Sequence, residues 1–246
     1  MKMLVKGLLL AALSLASVAG WAADKVLMVV TSHSEMGDTG EKTGFWLAEL
    51  THPYYALADA GFKVDIVSIK GGKAPVDPRS LDEKDAENAR FLADPKLKSA
   101  IENTPTLASV NPADYSAVVY AGGHGTMWDF PNNPDVNRVS ASIYEKGGVV
   151  AAVCHGPAAL LDIKLSDGSY LIAGKQVTGF SNLEEEQIKL TEVMPFLLQD
   201  QMIERGASFS KAAPWQSKVV VDQRVVTGQN PQSAKLLGEK VAELLK

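Results

Sequence analysis

The chain contains one cysteine, Cys154, and a histidine, His155, follows it directly. A sulfur nucleophile beside an imidazole is the smallest set that supports covalent chemistry at a carbonyl. The surrounding residues, Gly148-Val149-Val150-Ala151-Ala152-Val153-Cys154-His155-Gly156-Pro157-Ala158, read as a strand ending at the cysteine with a helix starting just after it. Ala152 and Gly156, two residues before and two after, are the small side chains that a sharp strand-to-helix elbow requires. Such an elbow aims the sulfur at the cleft beyond the strand ends, where open α/β sheets bind ligands. It also puts the sulfur at a helix N-terminus, so the expectation is a thiol pKa lowered from about 8.5 towards neutrality. A free cysteine is most often an inert core side chain. The elbow spacing, the adjacent His155 and the absence of a second cysteine favour a functional one.

A second glycine-rich turn, Ala121-Gly122-Gly123-His124-Gly125-Thr126, follows the apolar run at 117–121. Paired with the elbow, the Gly123 N–H could join the His155 N–H as an oxyanion hole, although alone the motif is as consistent with an ordinary tight turn. His155 also needs a carboxylate to orient it. Glu184, Glu185 and Glu186 follow a short strand at 175–178, and a solvated first helical turn is the expectation for two of the three.

The elements that must position these groups follow from the patterning. Runs rich in Val, Ile and Ala recur at 25–30, 64–69, 117–121, 149–153 and 219–221. Continuous rather than alternating hydrophobicity predicts strands buried on both faces, as in a parallel sheet. Helix-like segments lie between them at 43–60, 95–102, 134–146, 156–163, 184–204 and 231–245. Alternating strands and helices predict a single-domain, three-layer α/β/α sandwich around a mostly parallel, flavodoxin-like sheet. Residues 70–93, polar and rich in Gly, Pro and Asp, are expected to form a long connection or a small cap over the sheet.

Composition narrows the function classes. Of 246 residues 46% are hydrophobic and 22% charged, which suits one globular domain with a sizeable core. Lys2 and Lys6 precede an apolar run and small residues at 20–23, the layout of a secretory signal peptide over 1–23, leaving a domain over 24–246. The run is shorter than the ~20 residues that span a bilayer, so a soluble protein exported to the periplasm of a bacterium is expected, with no membrane partner. Without those two lysines the net charge is near −7, which argues against nucleic acid as a partner.

The motifs together resemble the ThiJ/PfpI superfamily of class I glutamine amidotransferase-like proteins, in its heat-shock-chaperone and glyoxalase III branch. The resemblance runs over the whole of 24–246. It rests on Lys42-Thr43-Gly44, Glu49-Leu50-Thr51-His52-Pro53, the two turns above, Thr178-Gly179-Phe180-Ser181 and Thr227-Gly228-Gln229-Asn230-Pro231. It implies a nucleophile at Cys154, its neighbour His155, an orienting carboxylate at Glu185 (chosen over Glu184 by spacing) and a glutamate reaching the sulfur at Glu49. Gly123, His124 and Gly44 become the oxyanion- and substrate-binding positions. Glu49 sits in an otherwise apolar stretch, Phe45-Trp46-Leu47-Ala48-Glu49-Leu50, where a carboxyl with a raised pKa suits proton transfer. His33 and His52 read as structural histidines.

The implied activity is a glyoxalase III-type lyase (D-lactate dehydratase) that turns methylglyoxal into lactate without glutathione, metal or organic cofactor. Unfolded or glycated proteins are the partners under a chaperone or deglycase reading, for which Trp46, Trp128-Asp129-Phe130 and Trp215 could supply apolar surface. Amide or peptide hydrolysis through Cys154, His155 and Glu185 is the third reading, and oxidant sensing by Cys154 a fourth. A homodimer is compatible with the resemblance.

Overall fold

Strands without a polar face must be covered on both sides, and the observed sheet is of that kind. The computed structural model describes residues 25–246, so the expected signal peptide at 1–23 lies outside the described residues. The strands are β1 (Lys25–Val30), β2 (Lys63–Ser68), β3 (Ala117–Tyr120), β4 (Val149–Val153), β5 (Gln176–Val177), β6 (Ser208–Phe209), β7 (Val219–Asp222) and β8 (Val225–Gly228). The helices are α1 (Leu47–Asp59), α2 (Ala86–Ala93), α3 (Pro95–Glu102), α4 (Thr126–Asp129), α5 (Pro134–Glu145), α6 (Asn182–Gln187), α7 (Leu198–Glu204) and α8 (Ala234–Leu244).

Six strands form one sheet in the order β2-β1-β3-β4-β8-β7, parallel throughout except where β7 meets β8. The chain leaves β1 for β2 on one side and returns to add β3 and β4 on the other. Right-handed crossovers therefore place α1 and α5 on opposite faces, which makes the three layers. On the α1 face, α8 packs so closely that a Cβ on Gly238 would stand 2.7 Å from the Pro53 α-carbon. All residues of β3 and β4 are buried, and each Val or Leu so covered contributes about 1.5–3 kcal/mol. The reversal of direction between β1 and β3 opens a crevice at the carboxyl ends of the strands.

Four boundaries differ from the pattern reading. The first helix starts at Leu47, because residues 43–46 run extended: Phe45 N–H donates to Pro75 O (2.9 Å), Asp77 N–H to Phe45 O (2.9 Å) and Trp46 N–H to Gly122 O (3.0 Å). The expected helix over 184–204 is two helices, α6 and α7, separated where Lys189 takes φ 61° and Pro195 interrupts the amide pattern. The helix expected after the cysteine is a short 3-10 turn, Gly156–Leu160. β8, central to the sheet, escaped the patterning because Val225–Gly228 offers only two aliphatic residues in four.

Candidate active site

The elbow is real and strained. Cys154 closes β4 with φ 60°, a left-handed conformation that costs a side-chain-bearing residue about 1–3 kcal/mol. Its backbone is pinned on both sides, the N–H donating to Gly228 O (2.9 Å) and the carbonyl accepting from Phe180 N–H (2.8 Å). The small residue at 156 is required: a Cβ there would meet Tyr120 O at 2.4 Å. The glycine turn after β3 is clamped to the elbow by the Thr126 hydroxyl, 2.8 Å from Gly123 O and 3.1 Å from His155 O.

A continuous chain of polar groups leads away from the sulfur. Cys154 Sγ lies 3.3 Å from His155 Nδ1, and His155 Nε2 lies 2.7 Å from Glu185 Oε2. The other carboxylate oxygen, Oε1, lies 3.1 Å from His124 Nε2. Arg79 Nη2 donates to His124 Nδ1 (3.1 Å), while Arg79 Nε and Nη2 donate to the buried Asp77 carboxylate at 2.9 and 2.6 Å.

This chain settles the tautomers. A guanidinium can only donate, so His124 Nδ1 accepts and its Nε2 carries the proton given to Glu185. A carboxylate can only accept, so His155 Nε2 also donates and Nδ1 turns a lone pair to the sulfur. Burial acts to raise the Glu185 carboxyl, but the neighbouring His155 and hydrogen bonds from His124 and His155 outweigh it and hold it well below the usual carboxylate range. Burial, then the neighbouring His155, pushes His124 down to about 4, so it is a neutral donor.

Glu184 and Glu185 part ways on α6. Ser181 caps the helix in a reciprocal box with Glu184, and Glu184 turns away from the cysteine into a cage of donors. Its Oε2 accepts from Ser181 N–H (3.0 Å), Ser181 Oγ (2.7 Å) and Gln229 Nε2 (3.0 Å), and its Oε1 from Trp215 N–H (3.0 Å) and Asn230 Nδ2 (2.9 Å). Glu185 alone reaches His155. Only Glu186 of the three is solvated, not the two expected, because two buried donor sets converge on this helical turn.

Glu49, on the first turn of α1, is fully buried, and among the described residues neither carboxyl oxygen has a well-formed hydrogen bond. The groups facing it are the Cys154 thiol and the Gly122 N–H. Gly122 leaves the room: a Cβ there would stand 2.3 Å from Glu49 Oε2 and 2.9 Å from the His155 nitrogen. Burial raises the Glu49 pKa to about 8 against weaker opposing pulls from Cys154 and Gly122. Burial, and then the Glu49 carboxylate, pushes the Cys154 thiol well above its usual range. The expected lowering by a helix N-terminus is thus overturned, since one short 3-10 turn cannot offset desolvation and a neighbouring acid.

A cavity of about 560 Å³ opens above the sulfur. Trp46, Phe180 and Trp215 line it together with Arg79, His52, Asp82, Asp85, His124 and Cys154, and the Phe180 and Trp215 rings meet edge-on with centroids 5.8 Å apart. The 70–93 segment, left between a connection and a cap, therefore borders the site with the turn Pro78–Ser80 and the start of α2. His52 Nε2 holds Asp85, the N-cap of α2, at 2.8 Å, while His33 stacks on Trp128 with ring centroids 4.9 Å apart. Phe130 is buried, and Trp46 and Trp215 face the cavity, so these aromatics do not form one outer apolar surface.

Gly123 sits at the turn with φ 101°, and the His155 N–H faces the Cys154 sulfur. Gly44 packs beside the glycine turn, its carbonyl accepting from Gly125 N–H at 3.3 Å. It lies outside the cavity lining and serves a backbone crossing, where a Cβ would come within 2.0 Å of Pro75 O. Arg79, Asp77 and Thr126 were missed as site residues, because contacts across 45 residues (Arg79 to His124) leave no local periodicity. His124, His155 and Glu185 offer ligand atoms within 4.8 Å of one another, as do His52, Asp85 and Glu87. In the first set both Nε2 atoms are committed to the carboxylate as donors.

The chain is 34% identical over 233 residues to glyoxalase 3 of Candida albicans, covering 88% of this chain and 96% of that protein. It is 35% identical over 239 residues to the glutathione-independent glyoxalase HSP31 of Saccharomyces cerevisiae, covering 92% and 99%. Among solved structures, the Rapid Encystment Protein 24 kDa of Francisella tularensis superposes with TM-score 0.88 at 50% identity, covering 90% of this chain and 99% of that one. Glyoxalase III from Candida albicans superposes with TM-score 0.85 at 31% identity, covering 92% and 99%. The DJ-1/PfpI family model matches residues 42–244, and the chain belongs to the DJ-1/PfpI family.

Proposed function

We propose that this protein is a glutathione-independent glyoxalase that converts methylglyoxal and water into lactate. The observation that carries the reading is Glu49: a buried carboxyl without a well-formed hydrogen bond, facing the nucleophilic sulfur. Hydrolysis of an amide needs a nucleophile, a base and an oxyanion site, all present without it. Isomerisation of an oxoaldehyde needs one more group, which moves a proton between adjacent carbons. The names of the two yeast relatives support the same reaction.

The steps follow from the positions. The Cys154 sulfur adds to the aldehyde carbon and its proton passes to His155 Nδ1, the imidazolium being balanced by Glu185. His155 returns the proton to the new alkoxide, giving a hemithioacetal. The N–H groups of Gly123 and His155 stabilise the negative oxygen. Glu49, ionised, removes the C–H proton of the former aldehyde carbon, leaving an enediolate with its charge on the former ketone oxygen. Glu49 returns that proton to the neighbouring carbon, and the hydroxyl proton of the first carbon passes to the charged oxygen as the first carbon becomes the thioester carbonyl. The product is a lactoyl thioester, which water cleaves to lactate and free thiol. A thiol kept protonated until substrate arrives suits this order, because the proton leaves as the S–C bond forms.

The test is proton NMR of the purified protein with methylglyoxal and no glutathione. The lactate methyl doublet should grow with wild type and be absent with Cys154→Ala. Equal lactate in both samples, or none with wild type, would refute the proposal. The signal-peptide layout of 1–23 supports export to the periplasm, and a periplasmic fraction lacking the protein would sink that part.

A further inference from the structure

Arg79 has more donors than its protein partners use. Its Nε and Nη2 are committed to Asp77 and His124, whereas Nη1 donates to no group among the described residues. The side chain is 42% exposed and lines the cavity together with Cys154. The guanidinium is held rigidly: Asp77 is buried, grips it through both carboxylate oxygens, and is itself fixed by the Thr43 hydroxyl at 2.9 Å. A fixed cation with a spare planar donor in a partly dry cavity is a recognition element for an anionic oxygen. Of the acids lining the cavity, Asp85 is occupied by His52, and Asp82 is exposed and accepts the Lys84 N–H.

The starting oxoaldehyde carries no charge. The hydroxy acid formed from it does. Resting on the glyoxalase reading, we propose that Arg79 is the carboxylate-recognising residue of the cavity, binding short 2-hydroxy carboxylates through Nη1 so that the product competes with the aldehyde. Trp46, Phe180 and Trp215, which line the same cavity, supply the apolar contact for the rest of the molecule. Accumulated product then throttles the enzyme by occupancy of the same cavity, without a second site.

The experiment compares lactate with lactamide, its neutral counterpart of the same shape, by quenching of tryptophan fluorescence, since Trp46 and Trp215 line the cavity. Wild type should bind lactate at least tenfold more tightly than lactamide. That ratio should fall to about one in Arg79→Gln and be partly kept in Arg79→Lys. In turnover, lactate should raise the KM for methylglyoxal and leave kcat unchanged. A wild-type ratio near one, or a tenfold ratio surviving in Arg79→Gln, would overturn the assignment. The wild-type ratio decides even if both variants misfold. Binding is read without turnover, so failure of the glyoxalase reading shows separately, as wild type that forms no lactate.

Discussion

Replacing Glu49 with Gln should remove the activity and change the stability of the protein in a pH-dependent way, with a net gain only as pH rises towards 8. The folded pKa is about 8 against an ordinary value of 4.5. An acid with a raised folded pKa is held neutral by the fold, so its contribution is intact below 4.5 and is lost as pH rises through 8. Linkage across that window makes ionisable Glu49 cost folding about 1 kcal/mol at pH 5, about 3 at pH 7 and about 4 at pH 8. Gln escapes this penalty but buries an amide, at a pH-independent cost of about 1–3 kcal/mol. The diagnostic is therefore the change with pH: the advantage of Glu49→Gln should grow by about 3 kcal/mol between pH 5 and pH 8, or roughly 6–12 °C in Tm for a domain of this size. Urea titrations of both proteins at three pH values measure it, and kcat for lactate formation should fall roughly 10²–10⁴-fold. A stability difference that does not move with pH would refute the buried, ionisable carboxyl beside the thiol.

The same group sets a pH profile: kcat/KM for methylglyoxal should climb with pH and level off above about 8 as Glu49 ionises, and a flat profile from 6 to 9 would remove it as the base. Glu184→Gln should destabilise by roughly 1–3 kcal/mol, since buried neutral donors that now surround a carboxylate would face an amide, yet kcat of the folded fraction should change less than threefold; a larger loss would place Glu184 in the chemistry. His124→Leu leaves Glu185 Oε1 without its donor, so stability should fall by about 1–3 kcal/mol with kcat lowered more than KM, as steady-state kinetics would show. Gly122→Ala drives a methyl to 2.3 Å from Glu49 Oε2 and should abolish lactate formation while the thiol still reacts with iodoacetamide; an active variant would contradict the Glu49 placement.

Much of this was legible in the order of residues because it is local. Strands that bury both faces need unbroken Val, Ile and Ala, so β1 and β4 could be read to the residue and the parallel sheet followed. The elbow was readable because its steric demands fall within two residues of Cys154, and the Gly156 contact with Tyr120 O bears out that spacing. Glu185 was selected over Glu184 by spacing, but only the cage of Gln229, Asn230 and the Trp215 N–H shows why the neighbouring carboxylate is structural.

What the tertiary structure alone decided is electrostatic. The thiol pKa was misjudged from the elbow because a local rule knows the helix end but not the depth of burial or the acid on another element. Arg79 and Asp77 lie in a segment whose composition says only that it is a loop; their chain to Glu185 exists because the crevice between β1 and β3 brings that loop over the end of β4. Proton affinities depend on everything within several ångströms in space, and sequence neighbours are a small part of that surrounding. Order along the chain therefore picked out the Cys154–His155 pair and the sheet that holds it, while the electrostatics of the site and the cation lining its cavity depend on folding.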